Sequence, residues 1–280
     1  MRSFRVVIIC GTIVTLRIAL LAALLVVPSA RGATSILAIG DFGVGGKRER
    51  DVGAAVRAYE ELNASQLLVT LGDNDYTRGR SFASSWNASF GWLAPAGVDV
   101  AGTLGNHDVQ VRRGRYEFPL LRMPAPYYVR RVGEAEVIVL DSTAISTAQT
   151  AWLRRTLAAR TGFRRIVVFH HPAYTCGRHL GNVAVRRAWV PLFRRYGVRL
   201  VLSGHDHNYQ RFERDGVTYV VHGGGGAGLY WLRPCPASYP RRIAARVGHG
   251  FVHVTVEPDG FLVRVVDLVG ATIDRFAVTG

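Results

Sequence analysis

A chain of 280 residues that is 49% apolar and 20% charged has the length of one large domain or two small ones. It also has ample material for a buried core, which excludes a disordered tail, a collagen-like fibre and a coiled coil. Only residues 6–27 approach the length and apolarity of a membrane span, so a multi-pass protein is excluded too. The net charge of +15 suggests a polyanionic partner, yet 34 of the 35 basic residues are arginine and Lys47 is the sole lysine. The Arg pairs are scattered from Arg112-Arg113 to Arg241-Arg242, with no zinc-finger spacing and no aromatic-interleaved basic run. A nucleic-acid partner is not expected; a basic surface of this kind suits small phosphorylated substrates.

Residues 1–32 read as an export signal. Arg2 and Arg5 give a positive start, Ile18–Val27 an apolar core, and Ala30-Arg31-Gly32 a small-residue cleavage pattern. Arg17 interrupts the apolar stretch and favours a cleaved signal; an uncleaved segment would instead hold the protein at a membrane. The expected location is outside the cytoplasm, secreted or in the cell envelope. Cleavage removes four arginines, and 15 − 4 leaves +11 on residues 33–280, which read as one catalytic domain. That domain keeps two cysteines, Cys176 and Cys235. In an oxidising compartment they form a disulfide or stay as buried thiols, and spacing alone leaves both open.

In chain order, β-branched apolar runs ending in turn residues predict strands at Ser35–Gly40, Leu67–Leu71, Asp99–Leu104, Glu136–Leu140, Arg165–Phe169, Val198–Ser203, Val217–Val221, Gly250–Glu257 and Phe261–Val266. Apolar residues at helical spacing predict helices at Arg50–Leu62, Gln149–Ala159 and Val183–Arg195. Strand and helix alternate over the first three-quarters of the chain, and strand follows strand at the end. The pattern is an α/β fold with a two-sheet core and helices outside.

The chemistry sits where five of these strands end. Their carboxyl ends deliver Gly40-Asp41-Phe42-Gly43, Gly72-Asp73-Asn74-Asp75-Tyr76, Gly105-Asn106-His107-Asp108, His170-His171-Pro172 and Gly204-His205-Asp206-His207. Open α/β sheets place ligand sites at such ends, and the glycines let the backbone approach an ion closely. Gly40–Gly46 lacks the spacing of a dinucleotide loop. Six of the nine histidines fall in these loops or just beyond them. Carboxylate and phenolate are hard anionic donors suited to a trivalent ion, whereas amide oxygen with imidazole suits a divalent one.

The ordered motifs GD-x-G, GD-xx-Y, GNH-D, V-xx-H and GH-x-H resemble the metallophosphoesterase superfamily, and Tyr76 makes the chain most similar to small purple acid phosphatases of the tartrate-resistant type. The resemblance implies an αββα sandwich, two mixed β-sheets flanked by helices. It also implies two metal ions: Fe(III) held by Asp41, Asp73, Tyr76 and His207, and Zn, Fe(II) or Mn held by Asp73, Asn106, His170 and His205. Asp73 would bridge them, and hydroxide generated on the ions would attack a phosphate monoester. His107 and His179 would face the substrate, with Asp108 orienting the imidazole of His107. His171 is expected to point away, because neighbours on a strand face opposite sides. His222 is a candidate for lining the cleft, and His249 and His253 are expected to be structural. Two other readings use the same residues: a phosphodiesterase acting on cyclic or linear nucleotides, against which Tyr76 argues, and a secreted protein that binds metal or phosphate without turnover.

Overall fold

The computed structural model describes residues 33–279; the export signal expected at residues 1–32 lies outside them. Thirteen strands form two mixed sheets. The first sheet has the order β13-β12-β11-β1-β2-β3, from β1 (Ser35–Ile39), β2 (Leu67–Thr70), β3 (Asp99–Ala101), β11 (Gly250–Glu257), β12 (Gly260–Asp267) and β13 (Thr272–Thr279). The second has the order β10-β8-β9-β7-β6-β5-β4, from β4 (Tyr128–Val132), β5 (Ala135–Val139), β6 (Arg164–Val168), β7 (Leu200–Ser203), β8 (Tyr209–Arg214), β9 (Val217–His222) and β10 (Arg242–Arg246). Within them β1, β2 and β3 run parallel, as do β5, β6, β7 and β9. Parallel neighbours need crossovers. Helices α1 (Lys47–Asn63) and α2 (Phe82–Phe90) supply them for the first sheet, and α3 (Thr147–Ala158), α4 (Val183–Ala188) and α5 (Val190–Arg195) for the second. This is the expected αββα sandwich.

The alternation of side chains along a strand divides the core. On β5, Val137 and Val139 join the cluster between the sheets. Ile138 and Leu140 join the second cluster, under α3, α4 and α5. Val52 and Val56 of α1 and Phe82, Trp86 and Phe90 of α2 cover the outer face of the first sheet.

Four strands and one helix were not predicted, and their positions give the reason. β4, β10 and β13 are sheet edges, and β8 lies beside the edge strand β10. They carry Arg130, Arg211, Arg242 and Arg275, where central strands carry continuous apolar runs. Helix α2 is short and serine-rich. The single helix predicted over Val183–Arg195 is two, broken at Trp189, because Pro191 in the first turn of α5 has no N–H for the preceding turn. Cys176 and Cys235, left open by the sequence, form a disulfide with Cα atoms 5.2 Å apart. Among the described residues no helix is long and apolar enough to cross a membrane.

Candidate metal centre

The carboxyl ends of β1, β2 and β3 in one sheet and of β6 and β7 in the other meet at one place. Backbone bonds join them: Asp41 N donates to Gly72 O at 2.9 Å, and Gly204 N donates to His170 O at 3.1 Å. The approach is close enough that a Cβ on Gly105 would overlap the Asp73 carboxylate and one on Gly204 would overlap that of Asp41. Asp41, Asp73 and His205 all have left-handed φ values, +59°, +51° and +72°. Such conformations are strained in non-glycine residues and gather at functional sites.

The side chains converge in two groups. Tyr76 Oη lies 3.3 Å from Asp41 Oδ1, 3.1 Å from Asp73 Oδ2 and 3.1 Å from His207 Nε2. His207 Nε2 is also 3.3 Å from Asp41 Oδ1. The second group centres on His170 Nε2, which is 3.1 Å from Asn106 Oδ1, 3.2 Å from His205 Nδ1 and 3.5 Å from Asp73 Oδ1. Asp73 belongs to both. Two imidazoles are oriented from behind: His170 Nδ1 faces Leu71 O at 2.9 Å and His207 Nδ1 faces Gly228 O at 2.6 Å. A carbonyl accepts only from N–H, so Nε2 of each ring presents its lone pair to the centre, as a metal-binding histidine requires.

The electrostatics fit cations. Burial pushes the Asp41 carboxyl up to about 7 and raises that of Asp73, and burial with the nearby carboxylates raises the phenol of Tyr76. Burial holds His170 and His205 below the usual imidazole range. Without a cation the anionic ligands are disfavoured, while the imidazoles of His170 and His205 are neutral and able to donate lone pairs; at His207 burial opposes the charge, but the hydrogen bond and charge of Asp41 outweigh it and raise the ring. A bound cation reverses the first penalty and uses the second, so its uptake displaces protons.

Both candidate substrate-facing histidines reach this place. The ring of His107 packs on Tyr76 with centroids 4.3 Å apart, and the ring of His179 lies 4.3 Å from that of His205. Asp108 does not orient His107. It is fully buried, and its carboxylate accepts from Gly105 N at 2.7 Å, Asn74 Nδ2 at 3.0 Å and Asp75 N at 3.0 Å. Asp108 opens a short 3₁₀ turn just after β3, which carries its side chain inward. Gln110 Nε2, 3.4 Å away, faces His107 Nδ1 instead.

His171 also departs from expectation. β6 ends at Val168, so strand alternation no longer governs residues 170 and 171. One ring nitrogen each of His170, His171 and His205 lie within 4.8 Å of one another, and Ser142 Oγ is 3.0 Å from His171 Nδ1. His222, the candidate for the cleft, is buried in β9 beside Tyr209. His249 Nδ1 meets Gly224 O, and His253 bridges Ser35 and Tyr59. Sequence reasoning missed Tyr230, whose ring stacks on His207 at 3.9 Å. The one available signal was an aromatic residue at the end of the glycine run Gly223–Gly228.

Behind the centre, Asn74 Nδ2 contacts Thr103 O, Asp108 Oδ2 and Glu117 Oε2 at 2.8, 3.0 and 2.9 Å. Burial raises Glu117 to about 8, and burial with the Glu117 charge raises Asp108. The folded protein thus holds a proton that the unfolded chain releases near 4.5. Its stabilising effect is complete below that pH and is lost as the pH rises towards 8. Glu117→Gln keeps an acceptor for Asn74 without the charge. The variant should unfold at the wild-type temperature at pH 4 and at a higher one at pH 8; equal melting curves at both would show that Glu117 carries no such proton.

Comparison with known proteins agrees with this geometry. Residues 34–209 match the calcineurin-like phosphoesterase family. Tartrate-resistant acid phosphatase type 5 of rabbit (Oryctolagus cuniculus) is 25% identical over 249 residues, covering 72% of this chain and 76% of the relative. Purple acid phosphatase PPD1 from yellow lupin seeds has a TM-score of 0.73 at 18% identity, covering 89% of this chain and 54% of its own. GAP50, described as the anchor in the inner membrane complex of Plasmodium, also has a TM-score of 0.73, at 17% identity with 88% of each chain covered. The fold is therefore shared by proteins described as a phosphatase and as an anchor, and the side chains at the strand ends must distinguish between such roles. With more than half of its length matched and its motifs in the expected order, this chain belongs to the calcineurin-like phosphoesterase family and is similar within it to the tartrate-resistant acid phosphatases.

Proposed function

We propose that the protein is an exported, dinuclear metal-dependent acid phosphatase that hydrolyses phosphate monoesters. The observation that carries this reading is the convergence of the Tyr76 hydroxyl on Asp41, Asp73 and His207 within 3.3 Å. Two carboxylates and a phenolate offer Fe(III) three hard anionic donors, with His207 as the fourth. Asn106, His170, His205 and the shared Asp73 would hold zinc, iron(II) or manganese. When bound, the ion pair supplies Lewis acidity to the phosphoryl oxygens and acidifies water, the trivalent ion extending this to lower pH.

The remaining work falls to the chain itself. His107 packs against Tyr76 of one donor group and His179 against His205 of the other, and each would contact the phosphoryl group from the group it adjoins. The Gln110 amide faces His107 Nδ1 at 3.4 Å, which leaves Nε2 as the ring atom to pass a proton to the departing alkoxide. The cleft beside Tyr76, His107 and His207 also includes Arg80 and Thr77 in a cavity of about 480 Å³, large enough for a small ester. Export rests on the composition of residues 1–32 and on the disulfide, which belongs to an oxidising compartment.

The test compares hydrolysis of an aryl phosphate monoester with that of its bis-aryl diester, across acidic to alkaline pH, using protein reconstituted with iron and zinc. A monoester preference that peaks in acid is expected. A diester preference at neutral or alkaline pH would transfer the assignment to a phosphodiesterase, and full metal loading without turnover would make the protein a binding module.

A further inference from the structure

Past β9 the chain does not leave the site but lies across it. Gly225 N donates to Gly40 O and Ala227 N donates to Asp41 O, both at 2.9 Å. A Cβ on Gly223 or Gly225 would overlap the backbone beneath, so glycine is what lets this segment sit flat on the end of β1. It then takes hold of His207 at three points. Gly228 O accepts from the ring at Nδ1 (2.6 Å), Tyr230 N donates to His207 O (2.9 Å), and the Tyr230 ring lies parallel to the imidazole, centroids 3.9 Å apart and planes 11° apart. Arg178 caps the stack, its guanidinium 4.9 Å over the Tyr230 ring.

The far end of the segment is tied down as well. Arg233 N donates to Cys176 O at 2.9 Å, and the Cys176–Cys235 disulfide joins it to the loop that carries Arg178 and His179. The hydrogen bonds of Tyr230 among the described residues are, by contrast, those of its backbone, its N–H to His207 O and its carbonyl accepting from Asn208 Nδ2 at 3.4 Å, with none to its hydroxyl. The ring is engaged and the hydroxyl is not.

We propose that Tyr230 is a positioning residue for the first metal position: its ring, clamped between Arg178 and His207, fixes the plane of the imidazole so that Nε2 stays aimed at Asp41 and Tyr76. A hydrogen bond to Nδ1 alone leaves the ring free to tilt about that bond; a parallel aromatic face removes the tilt. Losing a partner behind a metal-binding histidine commonly costs about 10–100-fold in metal affinity. The inference rests on the dinuclear reading above.

The test uses the full chain loaded with Fe(III) and Zn(II) and compares wild type, Tyr230→Phe and Tyr230→Leu. The phenylalanine variant is expected to release iron to a competing chelator at the wild-type rate, and the leucine variant about 10–100-fold faster, with zinc release much less affected. Proton NMR of the metal-free proteins reports the stack directly, through a ring-current shift of the His207 protons that phenylalanine preserves and leucine abolishes. If the leucine variant holds iron as firmly as wild type while both ions load, the positioning role is wrong and the dinuclear reading survives. Equal losses in both variants would assign the effect to the hydroxyl and overturn the inference. If wild type loads neither ion, the dinuclear reading fails and this inference with it, whatever the NMR shows.

Discussion

Asp73→Ala is expected to lose both metal ions and reduce phosphatase activity to background. Among the described residues Asp73 is the only side chain in contact with both groups, through Tyr76 Oη on one oxygen and His170 Nε2 on the other. Removing it takes an anionic donor from each position, and the Lewis-acid contribution of several kcal/mol corresponds to at least about 10⁴-fold in rate. Elemental analysis should fall from two ions per chain to none. Asp73→Asn is the control for folding: it preserves shape, and it replaces a carboxyl that burial already disfavours as an anion. The metal-free asparagine variant should therefore melt no lower than metal-free wild type. An alanine variant that keeps one ion would show that the two positions fill independently and that Asp73 does not bridge.

His107→Ala is expected to keep both ions and lose about 10²–10⁴-fold in kcat, the usual range for a proton-donating side chain. The metals should survive because the His107 ring packs on the face of Tyr76 without hydrogen-bonding any ligand, and the one hydrogen bond from residue 107 to a ligand comes from its backbone N–H, donating to Asp73 Oδ1 at 2.8 Å. The loss should depend on the leaving group. An ester that releases a stabilised phenolate needs little protonation and should be slowed least, whereas an alkyl phosphate should be slowed most. A variant that loses an ion, or a loss that is uniform across leaving groups, would remove His107 from the role of acid.

Much of this centre is legible in the amino-acid sequence, because central strands and their ends have a strong signature. Leu67–Thr70 and Leu200–Ser203 are buried along their whole length, so they read as apolar runs, and the polar residues that follow stand out against them. The edge strands β4, β10 and β13 have one side towards solvent and carry arginine, which erases that contrast. Side-chain direction beyond a strand end is likewise hidden. Asp108 turns inward on a short 3₁₀ turn to bind Gly105 N and Asn74, and His171 turns towards the centre where alternation from β6 would have sent it away.

Residue chemistry and short-period hydrophobic patterns are enough to establish the donor types, their order along the chain and the kind of fold that gathers them. Which donors face one another is settled instead by the packing of the two sheets. Asp41 and His207 are 3.3 Å apart across 166 residues of chain, and Leu71 O orients His170 from the opposite sheet. The same holds for the pairing of Cys176 with Cys235 and for the ring of Tyr230 on His207. Contacts of this kind depend on how the sheets meet and on left-handed backbone at Asp41, Asp73 and His205. Neither leaves a local pattern in sequence, because the free energy that holds such residues in strained conformations comes from packing elsewhere in the fold.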